Sequence, residues 1–275
     1  MDTKQETGMV VSELTQDFAG LAMLSQTGRS IAEILQANVG AGGISRQDLT
    51  AIKVPSGGGV IWQVDEVTGP KGYNSIYGII LFGEDHRTYF SKPKGEGSES
   101  DPPDCSSSDT VSGYGDPGGL CERCEFSKWN SDPRGKGQAC KLRRRLFILP
   151  HSQRLPYVVD LPSGSLMTMR QYGLKLTSAL GIEMYEVTTD VGLEAVKNKA
   201  GQSYSRVTFQ MREVLTPEQA AVANAYAEGL QSVLIPEDNR DDAPDAEPER
   251  TELSEPPAGL STAPVDCEDP FGANE

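Results

Sequence analysis

Four cysteines constrain this chain more than any other feature. They fall as Cys105-x15-Cys121-x2-Cys124-x15-Cys140, within a stretch from Lys92 to about Gln138 where Gly, Ser, Asp and Pro dominate. Such a stretch has too little apolar surface to offset the entropy of ordering it. Regular strands or helices are not expected there, and something other than a hydrophobic core must hold it. Two readings compete. In an exported chain, four cysteines suggest two disulfides. In a reducing compartment, a Cys-x-x-Cys turn with two outlying cysteines supplies four thiolates, enough for tetrahedral zinc. The N-terminal MDTKQETGMVV lacks the basic-then-apolar layout of an export signal. That points to a cytoplasmic chain and favours zinc. In small zinc modules the metal contributes roughly 10–16 kcal/mol, enough to order such a segment. A redox pair at Cys121 and Cys124, or ordinary reduced thiols, stay open as alternatives. A four-thiolate site leaves no position for water or substrate, so it is structural. Cys267 stands apart near the C-terminus.

The rest of the chain divides by pattern. Residues 1–28 are polar and expected to be flexible. Ser30 precedes an apolar helical pattern with Glu33 three residues on, a capping-box signature. Leu49–Val54 and Val60–Asp65 read as strands around a Pro-Ser-Gly-Gly-Gly turn. Ser75–Phe82 and His86–Ser91 read as an aromatic-rich hairpin turning at Gly83-Glu-Asp. Arg145–Pro150 and Pro156–Leu161 form a second apolar β-like pair. Residues 166, 169, 172, 176 and 180 are apolar at helical spacing, with Ser163 or Ser165 as N-cap and Gly181 as stop. Glu183–Val196 and Ser203–Val214 flank Asn198-Lys-Ala-Gly201 as a long hairpin. Thr216-Pro217-Glu218 opens an Ala-rich helix to about Leu234. This order predicts a β-rich α+β fold. An OB-fold-like antiparallel barrel with flanking helices fits it, carrying a zinc-binding insertion at about 92–143 within a domain spanning 29–235. No window of about 18 apolar residues is present, so no transmembrane helix is expected.

The formal charge of −15 seems to exclude a nucleic-acid binder, but it is unevenly spread. From Glu237 to the C-terminus there are thirteen acidic and two basic residues, a net −11. This Pro- and Ala-rich stretch, 236–275, is expected to be a disordered acidic tail. It is either a solubilising tail or a binding tail that recruits a partner through Asp269, Pro270 and Phe271. In contrast, Phe126–Arg145 holds Lys128, Arg134, Lys136, Lys141, Arg143, Arg144 and Arg145 against Asp132 alone, a net +6. Trp129 lies inside it. Clustered cations bind phosphate backbones through counterion release, and exposed aromatics stack on unpaired bases. Tyr73, Tyr77, Arg87, Tyr89 and Lys92 extend the candidate surface, with Arg87 and Tyr89 as a surface pair. Phe82 and Trp62 can equally be core packing, and Lys141–Arg145 can be a solvated face. His86 and His151 are not spaced for a metal site. No Walker loop, dinucleotide fingerprint or GxSxG is present, so nothing indicates an enzyme.

A β-barrel interrupted by a zinc-binding insertion, a basic–aromatic surface and an acidic tail together resemble phage-type single-stranded DNA-binding proteins, and the stretch CSSSDTVSGYGDPGGLCERCEFSKW…GKGQACKLRRRLFIL is similar to uncharacterised proteins of phages and bacterial mobile elements. The layout is similar to the zinc-containing, OB-fold helix-destabilising proteins of the T-even phages. It departs from them in offering four cysteines over a wider span in place of three cysteines and a histidine. It also lacks their short basic N-terminal arm. The resemblance implies a non-enzymatic protein of replication or recombination that coats single-stranded DNA. It would contain structural zinc, recruit replication or recombination enzymes through its tail, and act in the cytoplasm of a bacterial or phage-infected cell. The alternative is a zinc-module interaction scaffold of a phage or mobile element without direct nucleic-acid binding.

Overall fold

A computed structural model describes residues 28–234 except 41, 67, 93–101, 134 and 199–200, together with Phe18 and Leu21. The expectations for residues 1–17 and for the acidic tail lie outside the described residues.

The described residues form a strand-rich α+β fold. In chain order they are α1 (Ile31–Val39), β1 (Ala51–Ile52), β2 (Trp62–Glu66), β3 (Gly69–Tyr73) and β4 (Ser75–Tyr89). Then come β5 (Cys105–Ser107), β6 (Ser112–Gly115), β7 (Gly119–Leu120), β8 (Lys141–Pro150) and β9 (Tyr157–Leu161). The chain continues with α2 (Ser163–Leu180), β10 (Val187–Lys197), β11 (Ser203–Val214) and α3 (Pro217–Val233). No helix among the described residues is long and apolar enough to cross a membrane.

The organising element is β4, which is one strand where the sequence suggested a hairpin. Its fifteen residues run straight through Gly83-Glu-Asp. The glycine serves a different need there: a Cβ on Gly83 would sit 2.8 Å from Arg144 Nε and 3.0 Å from Leu146 Cδ2 across the ladder. On one edge β4 pairs antiparallel with β8 from Gly78 to Thr88, with a register shift between Ile80 and Phe82. On the other edge it pairs with β10 through Ser75–Ile79 and with β5 through Arg87–Tyr89. The sheet therefore forks. One path runs β1-β9-β8-β4-β5-β6-β7, and β10 and β11 form a second arm. The expected OB-like barrel is corrected at this point, because the described strands form no closed barrel. A strand has two hydrogen-bonding edges, and the second edge of β4 is divided between two diverging arms.

Side-chain alternation on the central strands feeds two cores, one on each face of the sheet. Phe147 and Leu149 of β8, with Ile79 and Leu81 of β4, pack under α1 and α3 through Ile31, Leu35, Ala223, Tyr226 and Leu230. Leu146 and Ile148, with Ile76 and Ile80, pack against Met169, Tyr172 and Leu176 of α2. Trp62 and Val64 of the separate β2–β3 hairpin close that second core. Trp62 is fully buried and donates from Nε1 to the Val191 carbonyl at 2.9 Å. Both faces of SIYGIILF are apolar because both are covered.

The helix ends follow local chemistry. Ser30 and Glu33 form the expected capping box: Glu33 N donates to Ser30 Oγ at 3.2 Å, and Ser30 N donates to Glu33 Oε2 at 2.7 Å. Thr216 and Gln219 repeat it at α3, with Pro217 in the first turn. Gly181 ends α2 in the left-handed region, φ 70°. The start of α2 differs from expectation, since Pro162 occupies the N-cap and Ser165 is buried. Ser165 Oγ accepts from Val207 N at 3.0 Å, and Thr168 Oγ1 donates to Val207 O at 2.8 Å. These two side chains satisfy the N–H and C=O of Val207 on the edge strand β11.

Candidate metal centre and basic–aromatic face

Between residues 102 and 140 the chain leaves the sheet edge and returns to it. Three short strands form there, against expectation, because β4 lends its edge to β5 and successive pairings carry β6 and β7. Asp109 shapes the first turn. Its Oδ1 accepts from Ser112 N at 2.8 Å and Val111 N at 2.7 Å, which holds its carboxyl below the usual carboxylate range. A Cβ on Gly115 (φ 103°) would lie 2.2 Å from Asp104 O, so only glycine fits that crossing. The Cys-x-x-Cys turn is tied to the strands by Cys121 N donating to Val111 O at 2.8 Å. Ser127 Oγ donates to the carbonyls of both Cys121 and Cys124, at 2.7 and 2.8 Å. Cys140 N donates to Phe126 O at 2.8 Å.

These ties bring the four distant cysteines to one cavity of about 10 Å³, room for a single ion- or water-sized occupant. Arg87, Tyr89 and Phe126 line it with them. All four carry free thiols. Among the described residues of 102–140, the buried ones are Cys105, Cys121 and Cys140 with Ser107. None of them belongs to either apolar core. The module thus has sulfur where a domain has hydrocarbon. Burial pushes the Cys105 thiol up, against a hydrogen bond from Gly118 N. Burial likewise pushes Cys140 up, against the Arg87 guanidinium. Each is raised further by the neighbouring sulfurs. No three His, Cys, Asp or Glu side chains among the described residues are drawn together as a ready-made metal site. The thiols ring the cavity, and an ion would have to pull them in. The donor set fits zinc in type and number.

Arg87 and Tyr89 face this cavity instead of forming an exposed surface pair. They lie opposite Ser107 and Cys105 in the β4–β5 ladder. The Tyr89 ring stacks on Phe126, centroids 4.4 Å apart and planes 7° apart. Tyr77 also falls away from the candidate surface, half-buried against the α1–α3 core and within 6.0 Å of the Phe18 ring centroid. Tyr73 sits on the β2–β3 hairpin, its hydroxyl bonded to Glu66. Lys92 is exposed near Asp104, whose carboxyl is lowered chiefly by Ser91 N.

The basic run is divided by the two-residue period of β8. Lys141, Arg143 and Arg145 share one face, and Arg144 points to the other. Lys141 Nζ pairs with Asp132 at 2.6 Å, Arg144 with Asp85 at 3.1 Å, and Arg145 with Asp160 at 2.8 Å. Arg143, opposite His86 in the ladder, has no carboxylate partner among the described residues, and its buried Nε is unpaired. Lys128 and Lys136 are exposed, and Arg134 lies outside the described residues. Between the two lysines in sequence stands Trp129, 74% exposed. Its loop is braced: Ser131 Oγ accepts from Ala139 N at 2.9 Å and Asp132 N donates to Gly137 O at 3.2 Å. Sequence reasoning missed Phe126 as the partner of Tyr89. It also missed Arg123, exposed inside the Cys-x-x-Cys turn. Its position between two cysteines was the available signal.

No family model, curated protein or solved structure matches this chain.

Proposed function

We propose that the protein binds single-stranded DNA without sequence preference, as a non-enzymatic coating protein of replication or recombination. Trp129 is the observation that carries this reading. A tryptophan three-quarters exposed on a braced loop, between exposed lysines that have no carboxylate partner among the described residues, serves neither core and offers a base a flat partner. Stacking on such a ring contributes about 1–3 kcal/mol per base. Arg143, Lys128 and Lys136 supply phosphate neutralisation. One structural zinc on Cys105, Cys121, Cys124 and Cys140 holds the loop-bearing module. The reading needs no closed barrel, since the module at the sheet edge carries the contacts. The acidic tail competes with DNA and recruits enzymes through Asp269, Pro270 and Phe271.

A salt-titrated assay comparing labelled oligo-dT, duplex DNA and RNA tests the reading. Tight oligo-dT binding that weakens with salt, and weakens again in Trp129→Ala, is expected. No oligonucleotide shift at low salt would reject it. A second reading, an interaction scaffold, is favoured by the pairing of Lys141, Arg144 and Arg145 with carboxylates of the same chain. Partner capture that survives nuclease treatment, with no oligonucleotide binding, would select it.

A further inference from the structure

Three guanidinium groups of the sheet, those of Arg143, Arg144 and Arg87, keep an enclosed nitrogen without a partner among the described residues, and that of Arg87 faces the thiols. It is half-buried, and Nη1 is fully enclosed with no hydrogen-bond partner among the described residues. Arginine stays charged under all relevant conditions. A charge taken out of water needs an opposite charge or a full set of hydrogen bonds. Several other half-buried cations have an opposite charge: Arg46 has Glu84 at 2.7 Å, Arg145 has Asp160, Lys141 has Asp132 and Arg144 has Asp85. Arg143 also lacks a carboxylate, but it lies on the other face of the ladder, since it opposes His86 while Arg87 opposes Leu142. Arg87 instead lines the cavity of four thiols, together with Cys140.

We infer that Arg87 is the counter-charge of a thiolate–metal centre, a positioning residue that selects a doubly negative cluster in the cavity. Four neutral thiols leave the guanidinium uncompensated. Four thiolates around one divalent ion carry a net charge of −2, which Arg87 reduces to −1. On binding, four S–H bonds release their protons to solvent and four metal–sulfur bonds form, with no oxidation. The ion class is a borderline-soft divalent metal that accepts four sulfurs, zinc above all. Stacked Tyr89 and Phe126 wall the same cavity, so the guanidinium and the cluster meet where water screens them little. This inference rests on reading the four cysteines as a metal centre.

The test uses the full chain purified under reducing conditions. Zinc is measured per chain, its affinity by competition with a chromophoric chelator, and its coordination by cobalt absorption. Wild type is expected to hold one zinc and to give a tetrathiolate cobalt spectrum. Arg87→Ala is expected to bind zinc about 10–100-fold more weakly, the range for lost outer-shell partners. Arg87→Lys, which keeps the charge, is expected to recover part of that loss. Arg206→Ala, on the half-buried pair with Glu194 in the β10–β11 hairpin, serves as the control and leaves affinity unchanged. Equal zinc affinity in wild type and Arg87→Ala overturns the role of Arg87. If Arg87→Ala does not fold, Arg87→Gln takes its place, and wild-type affinity in Arg87→Gln overturns that role equally. A wild type without zinc or a cobalt spectrum, or with a Cys121–Cys124 disulfide, overturns the metal centre beneath it.

Discussion

Under the proposed function, the salt dependence of DNA binding can be worked from the ion pairs on β8. Seven cations in Phe126–Arg145, all free, would each neutralise one phosphate, and on a single strand they would contribute a log–log salt slope of about −5. The structure ties up three of them: Lys141 with Asp132, Arg144 with Asp85 and Arg145 with Asp160. Lys128, Lys136 and Arg143 are left, and with Arg134 counted as available the contribution is about −2 to −3. Between 50 and 200 mM salt the first figure weakens binding about 900-fold and the second only about 20- to 50-fold. Anisotropy of labelled oligo-dT reads the difference through two variants. Lys128→Ala/Lys136→Ala/Arg143→Ala should flatten the slope by about 2 units. Asp85→Ala/Arg144→Ala removes an exposed pair without changing net charge. It should leave the slope unchanged and cost at most about 1 kcal/mol of stability. Flattening by about 0.7 or more in that double variant would refute the reasoning, because Arg144 would then leave its carboxylate for a phosphate.

Three further outcomes follow from the same structure. A strong chelator should open residues 102–140 to proteolysis while the two apolar cores stay protected, since the buried residues of that segment are three cysteines and a serine; unchanged cleavage would deny the metal its structural role. Gly78→Ala should destabilise the fold by about 1–3 kcal/mol or more in urea titration, because the new Cβ would meet Leu149 O at 2.4 Å within the central ladder. Tyr226 is fully buried with its hydroxyl donating to Arg154 O at 2.6 Å, and burial pushes its ionisation well above the usual tyrosine value. The neutral phenol's stabilisation is therefore complete below about pH 10 and is lost as pH rises toward the folded value. Tyr226→Phe should cost about 1 kcal/mol at neutral pH and flatten that alkaline loss; equal alkaline slopes in the two proteins would contradict it.

The parts legible in the sequence are those decided by neighbours along the chain. The capping box at Ser30, the helix start at Thr216-Pro217, the stop at Gly181 and the β10–β11 hairpin need only a few residues to specify them. The grouping of Cys105, Cys121, Cys124 and Cys140 was legible for the same reason, from spacing and from the poverty of the surrounding core. What escaped depends on contacts across the sheet. Gly83 looks like a turn residue, yet its lack of a side chain serves Arg144 and Leu146 on the neighbouring strand. The basic run looks like one patch, yet its charges alternate between two faces, and Asp85 and Asp160 reach Arg144 and Arg145 from other strands. Pairing across 59 residues, as between Asp85 and Arg144, leaves no local signature. The same logic separates Arg87 from the run. Counted along the sequence it is one more cation near aromatics. Placed on β4 opposite Ser107, it faces sulfur, and its charge becomes an argument about the cavity rather than about DNA. A cation count therefore overstates the charge this module can offer a ligand, because Lys141, Arg144 and Arg145 answer to carboxylates of the same chain and Arg87 answers to the thiols.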